Sequence, residues 1–530
     1  MIPQFSITAR KQENIQEKED KSMSFENSIS RSAAIDCALC ADAPCESACP
    51  AKIPAKAVRS IRFGNSRYAA AVLPQENPCA GCSAPCEKAC VRAGRVPIRA
   101  LMDKLYDEVR PGLELPAPSD KNRLKTDLCG VHLENPFLLS SSVVASTYDM
   151  CARAFEAGWA GAAFKTICSF DIHEASPRFS AIKGSGGEII GFKNIEQLSD
   201  HSVAENMEIF RRLKISYPTK FILASIMGKD EAEWEELAGL CEQNGADAVE
   251  LNFSCPNMAD GGLGSDIGQV PELVERFTKA AKRGCRIPVL AKLTPNVASM
   301  LPAGEAALRG GADGIAAINT IKSITGVNPH TYIAAPAVHG RSALGGYSGN
   351  AVKPIALRFI SELAGSKTLS GLHISGMGGI ETCQDALEFI LLGAGSVQVT
   401  TAVMQYGYRI IDDLTSGLNH YLAEKGFGSV KEAVGLALDT VSETTDVLER
   451  DTILFPKFDN DKCIGCGRCF ISCCDGGHSA ITFGADRKPR LNGSRCVGCH
   501  LCLLVCPEGA IGTAKKRVSK NPYDRKKENT

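Results

Sequence analysis

Twenty-four of the 530 residues are cysteine, and sixteen of these fall into four compact groups near the two ends of the chain. Toward the C-terminus, Cys463, Cys466, Cys469 and Cys473 are spaced C-x2-C-x2-C-x3-C, and Cys496, Cys499, Cys502 and Cys506, followed by Pro507, repeat that spacing. Tight loops of this kind let three thiolates converge on one [4Fe-4S] cubane while the fourth crosses to its neighbour. One cluster is therefore expected on Cys463, Cys466, Cys469 and Cys506 and the other on Cys496, Cys499, Cys502 and Cys473, with Cys474 a spare thiol. Toward the N-terminus the groups are Cys37, Cys40, Cys45, Cys49 and Cys79, Cys82, Cys86, Cys90, spaced C-x2-C-x4-C-x3-C and C-x2-C-x3-C-x3-C. They supply thiolates for two further cubanes, and the assignment within these eight stays open. Zinc is the competing reading, since four tetrahedral thiolates also satisfy that ion. It competes better for the N-terminal eight than for the C-terminal pair.

Between the cysteine groups, short β-rich runs alternate with longer amphipathic stretches, the pattern of repeated βα units. The runs are Phe137–Ser141, Gly161–Thr166, Phe221–Met227, Ala248–Phe253, Pro288–Leu293, Gly314–Asn319, Leu372–Ser375 and Val397–Thr401. Helical segments such as 231–243, 271–283, 352–364 and 382–392 separate them. Eight strands with eight crossovers close into a (β/α)8 barrel; an open doubly wound sheet is the alternative. In a barrel, Lys165, Asn252, Lys292, Asn319 and Thr400, which stand where runs end, share one rim.

The net charge of -1 and pI near 6.8 give no general attraction to nucleic acid or anionic membrane, so a small soluble substrate is expected. The first thirty residues lack the apolar core of a secretory signal, and no apolar run approaches the roughly 20 residues that span a bilayer. A cytoplasmic location is expected, where cysteines serve metals or catalysis rather than disulfides. The expected layout is α/β. It comprises a polar tail (1–30), an α-helical iron-sulfur domain (31–110), a Pro-rich linker (111–122) and the barrel (123–425). A helical bridge (426–459), a ferredoxin-like domain (460–514) and a basic tail (515–530) follow.

From about residue 123 to 425 the chain resembles the catalytic domain of NAD-dependent dihydropyrimidine dehydrogenases, within the wider dihydroorotate dehydrogenase family. The resemblance is carried by Asn135-Pro136-Phe137, Lys165-Thr166, Asn194-Ile195-Glu196, Leu251–Asn257 (LNFSCPN), Ala291–Pro295 (AKLTP), Asn319-Thr320, Gly378-Gly379 and Thr400-Thr401. The ferredoxin-like extension and the CALCADAPCESACP segment at 37–50 are similar to parts of the same enzymes. The resemblance implies FMN held by Ser141, Lys165, Thr166, Lys292, Gly349, Gly378, Gly379, Thr400 and Thr401. It implies a pyrimidine held by Asn194, Asn252, Ser254, Asn319 and Thr320, whose carboxamides and hydroxyls match an uncharged cyclic diamide. Cys255 would protonate one carbon of the ring's C=C bond while the reduced flavin delivers hydride to the next, and the Gly-rich segment 258–266 would close over it as a lid.

Three departures shape the expected function. No strand-G-x-G-x-x-G-helix unit appears, so FAD and NAD sites are not expected in this chain, and a separate FAD/NAD(P)-binding subunit or a ferredoxin would supply electrons. Met102 stands where the family's N-terminal cluster region often has glutamine, which makes Cys79 the expected fourth thiolate there. Asn257 follows SCP where pyrimidine-degrading enzymes commonly have His-Gly. The expected reaction interconverts uracil or thymine with the 5,6-dihydro form, in a protein that assembles as an oligomer. Reduction of orotate or another heterocycle, and a catalytically silent electron-transfer subunit, are the alternatives.

Overall fold

All eight β-rich runs of the middle region become strands: β1 (Phe137–Leu139), β2 (Gly161–Ala163), β3 (Phe221–Ile226), β4 (Ala248–Asn252), β5 (Val289–Lys292), β6 (Gly314–Ala317), β7 (His373–Met377) and β8 (Ser396–Val399). Apart from His373 every residue in them is buried, which is why they read as continuous runs rather than alternating ones. In the computed structural model they form a closed parallel barrel in chain order, with Val397 of β8 opposite Phe137 of β1. The structure describes residues 29, 31–92, 94–113, 120–184, 187–257, 264–514 and 517–520. The polar tail apart from Ile29, half of the linker, most of the basic tail, and residues 258–263 of the expected lid lie outside the described residues.

The expected helices form at Glu231–Gln243, Pro271–Gly284, Lys353–Gly365 and Cys383–Leu391, each returning the chain to the start of the next strand or, for the second and third, with a neighbouring helix. Ser202 and Thr382 begin helices with capping boxes that satisfy otherwise orphaned N–H groups. Below β1, the hairpin Thr126–Leu128 and Val131–Leu133 turns at Cys129 (φ 50) and Gly130 (φ 83), a left-handed pair that matches strand twist. Its Leu128 and Leu133 pack on Leu138, Leu223 and Leu290 and close the barrel floor.

The sequence reading did not anticipate a four-stranded antiparallel sheet built from rim excursions, in the order Ile321–Ser323, Gly345–Ser348, Ile189–Asn194, Phe179–Lys183. These strands are short and half-exposed, so they carry little of the buried signal that marks β1 to β8.

The N-terminal segment is helical, as expected, but it belongs to the same compact unit as the barrel, Met1–Val441. Arg31 pairs with Glu381 at 3.3 Å, Arg59 with Asp413 at 2.7 Å and Arg67 with Glu424 at 2.6 Å, while Phe63 meets Tyr406 edge to face. The helices Pro44–Ala48 and Pro85–Ala89 repeat one design: a left-handed alanine (Ala43, Ala84) before the first turn, proline at its start, and an extended cysteine (Cys49, Cys90) after it.

The expected helical bridge over 426–459 is corrected. Val430–Ala433 and Leu438–Thr440 make only single 3-10 turns, and Thr452–Ile453 and Pro456–Phe458 are strands. Gly426, Gly428 and Gly435 and the run Thr440-Val441-Ser442-Glu443-Thr444-Thr445 supply flexible and β-branched residues where a helix needs good formers. The second unit, Ser442–Thr530, has paired strands Pro456–Phe458 with Ile511–Thr513 and Ile481–Phe483 with Pro489–Leu491, and helices Arg468–Asp475 and Leu501–Leu504. Among the described residues no helix is long and apolar enough to cross a membrane.

Candidate active site and cysteine centres

The C-terminal ends of the barrel strands surround a cleft with about 1080 Å³ of atom-free space, open to solvent at its mouth. Ser141, Lys165, Thr166, Asn194, Asn252, Cys255, Lys292, Asn319, Thr320, Gly349, Gly378, Gly379, Thr400 and Thr401 all line it. Of the residues expected to face substrate or flavin, Ser254 alone does not line the cleft. It is fully buried, accepts from Asn319 Nδ2 at 2.8 Å and donates to Asn252 Oδ1 at 2.9 Å, so it orients two carboxamides of the cleft.

The carboxamides are held as a set. Asn252 Nδ2 donates to Thr166 Oγ1 at 2.8 Å, and Thr166 in turn meets Ser225 Oγ at 2.9 Å. Asn194 Nδ2 donates to the Gly346 carbonyl at 3.3 Å, and its oxygen accepts from Asn257 Nδ2 at 3.2 Å. Thus Asn257, where the sequence departs from the pyrimidine-degrading pattern, braces Asn194 from the side.

Both lysines of the cleft are charge-paired. Lys165 Nζ lies 3.1 Å from Glu174 and 3.0 Å from Glu196, and Arg178 Nε holds the other Glu196 oxygen at 2.7 Å. Lys292 Nζ contacts Glu250 Oε1 at 3.1 Å and donates to Ser141 Oγ at 2.7 Å. Cys255, just beyond β4, is 6% exposed, and burial pushes its thiol up to about 11. The backbone bond at Asn257 opposes that shift without cancelling it, and because desolvation dominates the thiol is protonated at neutral pH.

At the opposite wall, Gly349 (φ 89) and Gly379 (φ 83) bring two loops so close that a Cβ on Gly379 would lie 2.9 Å from the Gly349 carbonyl oxygen. Thr400 pairs with Ser142 at 3.1 Å and Thr401 with Ser348 at 2.9 Å. Backbone glycine loops and small hydroxyls form a donor set suited to a phosphate, and the buried ammonium of Lys292 suits a ring that gains negative charge on reduction. The residues therefore fit FMN.

The thiols border hollows. Cys37, Cys40, Cys45 and Cys90 line one, and Cys49, Cys79, Cys82 and Cys86 line a second together with Met102. The last cysteine of each N-terminal group is thus exchanged with the other group. In the second unit, Cys463, Cys466, Cys469 and Cys506 share one hollow and Cys473, Cys496, Cys499 and Cys502 another, the crossing expected from spacing. Amides point at the crossing sulfurs: Ala480 N donates to Cys473 and Ala510 N to Cys506, each at 3.3 Å. Among the described residues no three His, Cys, Asp or Glu side chains converge on a single metal ion, and quartets spread around a hollow suit a polynuclear cluster.

The dihydroorotate dehydrogenase family model matches residues 123–422, more than half of the chain, and a 4Fe-4S dicluster model matches residues 457–512. The chain belongs to the dihydroorotate dehydrogenase family. It is an oxidoreductase with an iron-sulfur domain. The NAD-dependent dihydropyrimidine dehydrogenase subunit PreA of Escherichia coli K12 is 54% identical over 358 residues, which cover 68% of this chain and 87% of that protein. A chloroplastic dihydropyrimidine dehydrogenase (NADP(+)) of Arabidopsis thaliana is 36% identical over 64% of this chain and 83% of its own. The catalytic subunit of dihydroorotate dehydrogenase B (NAD(+)) from Pyrococcus abyssi is 40% identical over 59% of this chain and 99% of its own.

Several residues in or beside the cleft were not assigned from sequence: Glu174, Arg178, Glu196, Glu250 and Gln398. Glu250 had a signal, because a lone acid inside the buried strand Ala248–Asn252 demands a cationic partner. Glu174 and Arg178 lie in an excursion with no periodicity, and only the fold brings them to Lys165.

Proposed function

We propose that the chain reduces the C=C bond of uracil or thymine to the 5,6-dihydro form, using FMN in the barrel cleft and [4Fe-4S] clusters on the four cysteine quartets, with electrons from a separate FAD/NAD(P)-binding subunit or a ferredoxin. FMN, when bound, supplies the hydride chemistry. The protein's own residues supply the rest: Asn194, Asn252 and Asn319 present fixed donors and acceptors to a flat diamide, and Cys255 donates a proton to the carbon beside the one that gains hydride. The resulting thiolate is reprotonated from solvent before the next turnover.

The observation that carries this reading is a protonated, buried thiol in the same cleft as a braced ring of carboxamides. An uncharged substrate is favoured over orotate because Lys165 and Lys292 already have carboxylate partners, leaving neither as a dedicated partner for a substrate carboxylate. The names of the dihydropyrimidine dehydrogenase relatives point the same way. Retention of the full set of cleft residues argues against a silent electron-transfer barrel. The test is anaerobic: the photoreduced holoprotein is mixed with uracil, thymine or orotate and flavin reoxidation is followed. Reoxidation by uracil and thymine is expected; reoxidation by orotate alone overturns the assignment.

A further inference from the structure

Arg409 immediately precedes the barrel helix Ile410–Glu424, yet its guanidinium ends among the cysteines of the N-terminal segment. Nη1 donates to the Cys40 carbonyl at 3.0 Å and Nη2 to the Leu39 carbonyl, so one planar fork holds two consecutive carbonyls. Arg409 also lines the hollow of Cys37, Cys40, Cys45 and Cys90, whereas the hollow of Cys49, Cys79, Cys82 and Cys86 is lined by the N-terminal segment alone.

The loop it holds needs holding. Leu39 sits at φ 54, a left-handed conformation that leucine seldom adopts by local preference. Arg62 and Arg92 brace the same loop at the Ile35 and Asp36 carbonyls, at 2.7 and 3.0 Å, but both come from the N-terminal segment, and Arg92 is shared with the Asp36 carboxylate. Among the described residues no carboxylate pairs with Arg409; its Nε donates to the Tyr406 carbonyl at 3.3 Å, and both terminal nitrogens face the cysteine loop.

We infer that Arg409 is a positioning residue for the cluster of Cys37, Cys40, Cys45 and Cys90: it fastens the Cys37–Cys40 loop to the barrel and raises that cluster's reduction potential. The inference rests on the reading of the thiol quartets as [4Fe-4S] ligands. A reduced cluster carries one more negative charge than an oxidised one, and an unpaired cation beside it favours the reduced form.

The full-length holoprotein, prepared without oxygen, is titrated reductively while its cluster signals are followed by electron paramagnetic resonance, for wild type, Arg409→Met, Arg409→Gln and Arg409→Lys. One signal is expected to move to lower potential in both neutral variants and to return most of the way in Arg409→Lys, with the others in place. Either neutral variant suffices if the other does not fold. Loss of about a quarter of the iron with flavin retained also supports the fastening of the loop. Full iron with every midpoint unmoved in a neutral variant overturns the role of Arg409 and leaves the cluster reading standing. Wild-type protein without iron overturns both.

Discussion

Lys292 Nζ lies 3.1 Å from Glu250 Oε1 inside the barrel, with 2% and 0% of the two side chains exposed. Gln398 Nε2 donates to the other Glu250 oxygen at 3.2 Å, so the acid is held from both sides. Removing one member of a buried pair leaves a desolvated charge, at a cost of about 3–5 kcal/mol. Glu250→Gln is therefore expected to lower stability by about that amount in denaturant unfolding of the flavin-free protein. The double variant Glu250→Gln/Lys292→Met should recover most of the loss, because no charge is then buried alone.

Ser254 gives a different prediction, since on the proposed reading it would act on the substrate only through Asn252 and Asn319, which it bonds. Ser254→Ala removes two orienting hydrogen bonds worth about 1 kcal/mol each, enough to raise the KM for uracil roughly five- to thirtyfold. Steady-state kinetics with a dye donor should show kcat changing much less than KM. A fall in kcat with KM unchanged would place Ser254 in the chemical step instead.

The barrel was legible in the sequence because buried parallel strands leave long apolar runs, and all eight were found from them. The cleft was legible mainly at strand ends, where Lys165, Asn252, Lys292 and Asn319 break those runs. What lay hidden depends on the excursions. The sheet that carries Asn194 is made of short, half-exposed strands, and Glu174, in the excursion leading into it, meets Lys165 while Arg178 pairs with Glu196. Ser254 was placed on the substrate because of its neighbours in LNFSCPN, whereas its side chain turns inward. The N-terminal exchange of cysteines did have a signal, the repeated Ala-Pro-Cys-Glu at 43–46 and 84–87, which marks two equivalent helices facing one another.

That exchange predicts an iron count. If Cys37 and Cys90 serve one cluster, Cys37→Ser/Cys90→Ser damages a single site and lowers iron by about four atoms per chain. Cys37→Ser/Cys49→Ser touches both sites and should lower it by about eight. The reverse order of losses, about eight for Cys37→Ser/Cys90→Ser and about four for Cys37→Ser/Cys49→Ser, would return the ligands to their sequence groups.

The Cys255 thiol predicts a pH profile. Burial pushes the thiol up to about 11, and the proposed pyrimidine reduction would use the protonated form. This group therefore leaves the single-turnover reduction rate level from roughly pH 6 to 9, with a fall only as the pH nears 11. Dehydrogenation of the dihydropyrimidine uses the thiolate, so its rate should rise with pH over the same range. A reduction limb near the ordinary cysteine value of about 8.5 would show that the thiol is not desolvated as the structure has it.

The most direct measurement is a single turnover with and without that thiol. Reduced, FMN-loaded wild type and Cys255→Ala are each mixed with uracil, and 5,6-dihydrouracil is quantified against time. A positioned general acid contributes about 100- to 10,000-fold, so Cys255→Ala should form product slower by that factor while its flavin content is unchanged. Product at the wild-type rate from the alanine variant would contradict the account.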